Sequence, residues 1–261
     1  MPAKPFPTHF LCIPLVSTSS RTQLSQSLAA FAADVTAPDS LGIPPDAVRP
    51  VGTLHLTLGV FSFPKNEGLD RATTLLESLR PREILASARQ DVAARTPLPG
   101  EKTTSQAPQD DGPSPAGSSL SITLRGLSSM QAPARTSVLY AHPVDDRGVL
   151  QAFCERIRRV FLDADVMEDE TRPLLLHATV LNTIYVKKAA GEGGAGAKRK
   201  RGRRGEKLTF DARPIVDRYE DQIWAEGCPV EKIAICQMGA KKVEVDGVED
   251  QAYEAVAEVE F

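Results

Sequence analysis

Two of the four histidines in this chain stand in the same setting. His55 and Thr57 lie in "GTLHLTLGVFSF" (52–63), and His177 and Thr179 lie in "LLLHATVLNTIYV" (174–186). Each time, one apolar residue separates an imidazole from a hydroxyl, and apolar residues flank the pair. On an extended strand, positions i and i+2 share a face. His55 is thus expected to project beside Thr57 while Leu54, Leu56 and Leu58 enter a core. His177 and Thr179 repeat the arrangement, with Leu176, Ala178 and Val180 opposed. A single copy is explained by a core histidine bonded to backbone. Two copies predict a cleft in which two imidazoles and two hydroxyls converge.

That set suits the cleavage of a phosphodiester. One proton must leave the attacking oxygen and another must reach the departing one. Two histidines can do both near neutral pH, one neutral and one protonated. Threonine hydroxyls, with backbone amides and a histidinium, can hold the non-bridging oxygens as charge redistributes. The scheme needs no metal and no cofactor, and the sequence contains no HExxH. Spacing alone leaves open which histidine is base and which is acid.

The elements that must position these groups follow from periodicity. "HFLCIPLV" (9–16) reads as a buried strand. Residues 20–35 read as a helix, with a capping-box pattern at Ser20 and Gln23 and an apolar face of Leu24, Leu28, Phe31 and Val35. Residues 53–63 form a second strand, and 68–79 a helix with Leu69, Ala72, Leu76 and Leu79 inward. Strands at 119–127 and 136–144 precede the clearest helix, 147–164. Its stripe is Val149, Leu150, Phe153, Ile157, Val160 and Phe161. Arg156, Arg158 and Arg159 lie largely off that stripe, as a solvated face or as an attraction for phosphates. After the second His-x-Thr strand, 231–240 and 252–261 read as closing strands. The order predicts an α+β fold with internal duplication.

Two stretches break the pattern. Residues 90–118 are rich in Pro, Gly, Ser, Thr and Asp without period, and read as a disordered insertion. Residues 189–206 read as a basic, glycine-rich flexible loop. Within it "GEGGAG" (191–196) satisfies G-x-G-x-x-G, but "AKRKRGRRGEK" follows where a dinucleotide site needs an apolar helix. The cluster "KRKRGRR" (198–204) suits a nuclear import receptor, an RNA contact or a solvated loop.

Composition bounds the rest. Net charge is −3 and 41% of residues are hydrophobic, which fits a globular chain and excludes a uniformly basic nucleic-acid binder. Cys12, Cys154, Cys228 and Cys236 include no CxxC pair and read as buried thiols of a reducing compartment. No run reaches the ~20 apolar residues of a membrane span. The start of the chain lacks a signal peptide's apolar stretch. The expected location is nuclear, cytoplasmic or both, with no membrane partner and no DNA-specific motif. His9 and His142 read as structural. Trp224 and Tyr185 fit base stacking or packing equally well.

"LHLTLG" and "LHATVLN" resemble the paired H-x-T-φ signatures (φ is apolar) of the 2H phosphoesterases, the LigT-like superfamily. "HATVLN" with "SVLYAHP" resembles the branch containing the central domain of the gamma-type A-kinase anchoring protein and the phosphoesterase domain of the activating signal cointegrator complex subunit. The likeness covers the chain from about Phe10 to Phe261 apart from 90–118 and 189–206. It implies a bilobal α+β fold, two pseudo-symmetric sheet-and-helix lobes around a central cleft, in one domain over 8–261. It implies metal-independent chemistry on 2′,3′-cyclic phosphates or 2′–5′ linkages of nucleotide or RNA substrates. His55 and His177 would be catalytic, and Thr57 and Thr179 would hold the phosphate. The alternative it implies is a nucleotide- or RNA-binding module with little turnover, an adaptor in a nuclear complex. Only eight residues precede the first strand, too few for a KH domain. No amphipathic helix flanks the domain, so kinase anchoring is not carried over.

Overall fold

The computed structural model of the chain describes residues 6–95, 119–168, 172–186 and 208–261. Strand β1 (His9–Pro14) is buried along nearly its whole length, as its unbroken apolar run requires. Helix α1 (Arg21–Thr36) buries Leu24, Leu28, Phe31 and Val35, the face its spacing predicts. The capping box does not form. The Ser20 hydroxyl instead donates to the Leu15 carbonyl at 2.7 Å, and no side chain caps the helix.

Strand β2 (His55–Phe61) and helix α2 (Leu69–Ser78) follow where expected. Helix α3 (Pro81–Arg95) does not match the expectation, because residues 90–95 of the anticipated disordered insertion continue it. Beyond Pro81 it buries only Leu85 and Ala88, too narrow a stripe to read as a helical period. Proline at its first position fits there because that N–H has no helical acceptor. The remainder of the insertion and the loop at 189–206 lie outside the described residues.

Strands β3 (Ser121–Ser129) and β4 (Val138–Pro143), helix α4 (Val149–Asp163) and strand β5 (Ala178–Asn182) come next. The α4 stripe is buried at Leu150, Phe153, Ile157 and Phe161, but Arg158 is buried with it. That corrects the reading of Arg158 as part of a solvated face. A short helix α5 (Arg213–Arg218) leads to strands β6 (Ile223–Pro229), β7 (Lys232–Gln237), β8 (Lys241–Val245), β9 (Val248–Ala252) and β10 (Ala255–Glu260). The sequence reading found only β7 and β10 here. β6 escaped it because Gly227, at φ 63°, breaks the alternation. The β8–β9 hairpin carried a legible signal. Asp246-Gly247, both at positive φ, is the two-residue turn that a tight hairpin demands.

The strands form two antiparallel four-stranded sheets, β10-β7-β1-β2 and β5-β4-β3-β6, beside the β8–β9 pair. One continuous core joins both sheets to α1, α2, α3 and α4. Each fully buried Phe or Leu there contributes roughly 1.5–3 kcal/mol. Trp224 belongs to this core. It is 1% exposed, stands edge-on to Phe31 and donates to the Gly126 carbonyl, which excludes stacking on a base. All four cysteines are free and buried.

Candidate active site

Each His-x-Thr motif runs along an edge strand of its sheet, β2 in one and β5 in the other. The motifs share a backbone irregularity. Thr57 pairs with Cys12 and Gly59 with Leu11, so Leu58 is an extra residue on β2. Thr179 pairs with Tyr140 and Leu181 with Leu139, so Val180 is extra on β5. The bulge falls on the residue after the threonine in both strands. Bulges of this kind bend a strand and re-aim its side chains, and they gather beside active sites. Beyond the first bulge Gly59 lies against Met167, where a Cβ would collide with the thioether.

The histidines repeat one another just as closely. His55 Nδ1 lies 2.7 Å from the Thr53 carbonyl, and His177 Nδ1 lies 2.8 Å from the Leu175 carbonyl. A carbonyl can only accept, so both Nδ1 atoms carry hydrogen and both Nε2 atoms are left for a ligand. His177 stands one residue before β5 rather than within it, yet keeps its place beside Thr179 over the Tyr140 ring, 5.3 Å away. Among the described residues no protein group hydrogen-bonds the Thr57 or Thr179 hydroxyl. Leu54, Leu56 and Leu58 are buried on the opposite side, as are Leu176, Ala178 and Val180.

The two edges meet. The Arg49 N–H donates to the Val180 carbonyl at 2.9 Å, and Val48 bridges to Leu181. The segment before β2 thereby covers the free edge of β5 and draws the motifs together. The electrostatics agree, because burial lowers the pKa of both His55 and His142 and the charge of His177 adds to the shift in each.

His55 is the more enclosed imidazole. Its ring lies 4.8 Å from Phe10 and 5.2 Å from Tyr253, and one edge still reaches solvent. Burial pulls its pKa down to about 4. The bond to Thr53 opposes that shift, and the charges of His177 and Arg49 add to it. A 220 Å³ cavity beside it is lined by Thr53, His55, Tyr253 and the facing thiols Cys12 and Cys236.

Several site residues escaped the sequence reading. His142, read as structural, shares the Tyr140 ring with His177. It stands 4.9 Å from the Tyr140 ring, and its Nε2 lies 2.6 Å from the Ser128 hydroxyl. Its i, i+2 relation to Tyr140 in "LYAHP" was the available signal. His9 is structural, bonded to Thr8 and 3% exposed. Arg49 is 6% exposed, lies 3.9 Å over the Tyr185 ring and reaches the Tyr253 hydroxyl at 3.4 Å. Among the described residues it has no carboxylate partner. Burial raises the pKa of Tyr253 to about 12, so its hydroxyl keeps its proton. Nothing local in "AVRPVG" marks Arg49, since its position depends on β5. Among the described residues no group of three His, Cys, Asp or Glu side chains could hold a metal ion. No helix among them is long and apolar enough to cross a membrane.

The architecture combines α-helices with two four-stranded antiparallel sheets. Residues 7–261 match the model of the AKAP7 2′5′ RNA ligase-like domain, and the chain belongs to that family. A curated, uncharacterized protein of Schizosaccharomyces pombe is 30% identical over 122 residues, 46% of this chain and 50% of that protein. The match therefore spans about half the length of that relative. Among solved structures, Escherichia coli LigT complexed with 3′-AMP aligns at 14% identity over 97% of both chains, with a TM-score of 0.49. A Thermus thermophilus protein aligns at 15% identity over 97% of both, with a TM-score of 0.44.

Proposed function

We propose that the chain is a metal-independent phosphodiesterase acting on RNA-type phosphodiesters, either 2′,3′-cyclic phosphates or 2′–5′ linkages, within one domain spanning 8–261. The observation that carries this reading is the matched pair of Nδ1–carbonyl bonds at His55 and His177, each leaving an Nε2 for substrate. Family membership supports the reaction class.

His55 is the base. Burial keeps it neutral at pH 7, so its Nε2 lone pair is available. In hydrolysis of a cyclic phosphate it takes a proton from the attacking water as the water oxygen bonds to phosphorus. The bond from phosphorus to one ribose oxygen breaks, and His177 gives that oxygen a proton through Nε2. In cleavage of a 2′–5′ linkage the attacking group is the neighbouring 3′-hydroxyl, and the 5′-oxygen departs. Thr57 and Thr179 donate to the non-bridging oxygens, and Arg49 supplies positive charge beside them. A bound phosphodiester carries negative charge, which raises the pKa of His55 and makes it a stronger base once substrate is in place. The cationic run 198–204, outside the described residues, is assigned to a nuclear import receptor. Imaging a fluorescent fusion with its six cations neutralised tests that assignment.

The deciding experiment incubates the protein in EDTA with a 2′,3′-cyclic nucleotide, a 2′–5′ oligoadenylate and a short RNA ending in a cyclic phosphate. The His55→Ala/His177→Ala variant runs alongside. Turnover by the wild type alone supports the reading, and the product names the bond cleaved. Tight nucleotide binding without turnover replaces it with a binding module.

A further inference from the structure

Away from the histidines, helices α3 and α4 enclose a 410 Å³ cavity that none of His55, Thr57, His177 and Thr179 lines. Five arginines line it: Arg95 from α3, Arg156, Arg158 and Arg159 from α4, and Arg172 from the segment leading to β5. Asp91 and Glu155 are the carboxylates in the wall, so the lining carries three more positive than negative formal charges. Asp91 is committed to Arg156, which also bonds the Ser87 hydroxyl. Glu155 accepts from Gln151. Arg159 lies 3.9 Å from Asp163 on its own helix. Among the described residues no carboxylate pairs with Arg95, Arg158 or Arg172.

Arg158 is the telling member. It is 9% exposed, and its Nε is buried without a hydrogen-bond partner. A buried guanidinium without a counter-charge costs stability, and proteins pair such groups or turn them to use. Its neighbours along α4 fill the core with apolar side chains, so a solvated face does not account for it.

We propose that this cavity is a second anion site, independent of the histidine cleft, which takes a compact ligand bearing two or more phosphate groups. Guanidinium forks match phosphate oxygens in pairs, and several around one concavity favour clustered phosphates over a single charge. The volume falls in the range of small-molecule pockets rather than that of a lone ion. The lining contains no aromatic ring on which a base could stack, and that favours a small polyphosphate over an RNA strand.

The test measures binding of inorganic tripolyphosphate to the full chain by calorimetry at fixed ionic strength. Inorganic phosphate and a short RNA serve as comparison probes. Arg158→Gln removes the buried group. Arg95→Gln/Arg172→Gln removes two exposed arginines without touching the core, which keeps the test valid if the first variant misfolds. Tripolyphosphate is expected to bind more tightly than phosphate, each variant to weaken it at least ~10-fold, and the His55→Ala/His177→Ala variant to bind as the wild type does. The proposal is overturned if tripolyphosphate does not bind the wild type, if the Arg95→Gln/Arg172→Gln variant binds it undiminished, or if the double histidine variant loses it. It is also overturned if only the RNA binds through these arginines.

Discussion

His55 and His177 are held by the same device in two different sheets, each with Nδ1 on the carbonyl two residues earlier in the chain, Thr53 or Leu175. The bond fixes the ring plane and the tautomer together, so each imidazole presents Nε2 in a set direction. The bulges at Leu58 and Val180 repeat beside them, so the likeness extends to the backbone. What differs is the surroundings. Phe10, Tyr253 and Arg49 press on His55, while Tyr140 lies beside His177.

If both imidazoles transfer protons, His55→Ala and His177→Ala should each lower kcat/KM at least ~100-fold while melting temperatures stay near that of the wild type. Chelators should leave the rate unchanged. A loss of only a few-fold from either substitution ends the two-histidine scheme.

The pH profile should show the depressed pKa of His55. A base must be deprotonated to work, so kcat/KM should hold down to about pH 4 and fall below it. The acid limb of kcat should lie higher, because bound phosphate raises that pKa. The same shift makes a stability prediction. The unfolded chain binds a proton at this position near the ordinary value of 6.5, and the folded chain only near 4. The contribution is fully present above pH 6.5 and is lost as pH falls through 4. His55→Gln should flatten the fall in melting temperature across that window.

Thr57→Val and Thr179→Val keep the shape of each side chain and remove one donor. Each should reduce kcat about 10- to 100-fold with little change in folding. An unchanged rate in both would remove the threonines from the phosphate site.

On the proposed mechanism, Arg49 acts on both substrate affinity and the base. Arg49→Gln should raise KM for a phosphodiester and also shift the acid limb of kcat/KM upward, since its charge helps to depress His55. A purely structural arginine would alter melting temperature without moving that limb. Its cation–π contact should bring Tyr185→Ala part of the way along the same path.

Gly59→Ala tests the bulge packing. The new methyl meets the Met167 thioether, which should cost about 1–3 kcal/mol, and Met167→Ala in the same chain should recover part of it. Urea melts of the wild type, the two single variants and the double variant measure the coupling.

The candidate site was partly legible in the sequence because its signal is local. Alternation within "LHLTL" and "LHATV" fixes which side chains share a face, whatever the strands pair with. The apolar stripes of α1 and α4 were legible for the same reason. The narrow stripe of α3 and the broken alternation of β6 were not. The Asp246-Gly247 turn is legible as a local hairpin signal.

By itself the sequence determined that an imidazole and a hydroxyl project together twice, each backed by a buried apolar face. Only the tertiary structure decided that the segment carrying Arg49 pairs with the edge of β5, which brings the two motifs near one another. It also decided that Arg158 is buried and that the two imidazoles sit in unlike surroundings. Those outcomes depend on pairings between residues far apart in the chain, such as Arg49 with Val180 and Tyr140 with Thr179. Desolvation and charge act through that three-dimensional neighbourhood, to which a linear pattern of residue types carries no local clue.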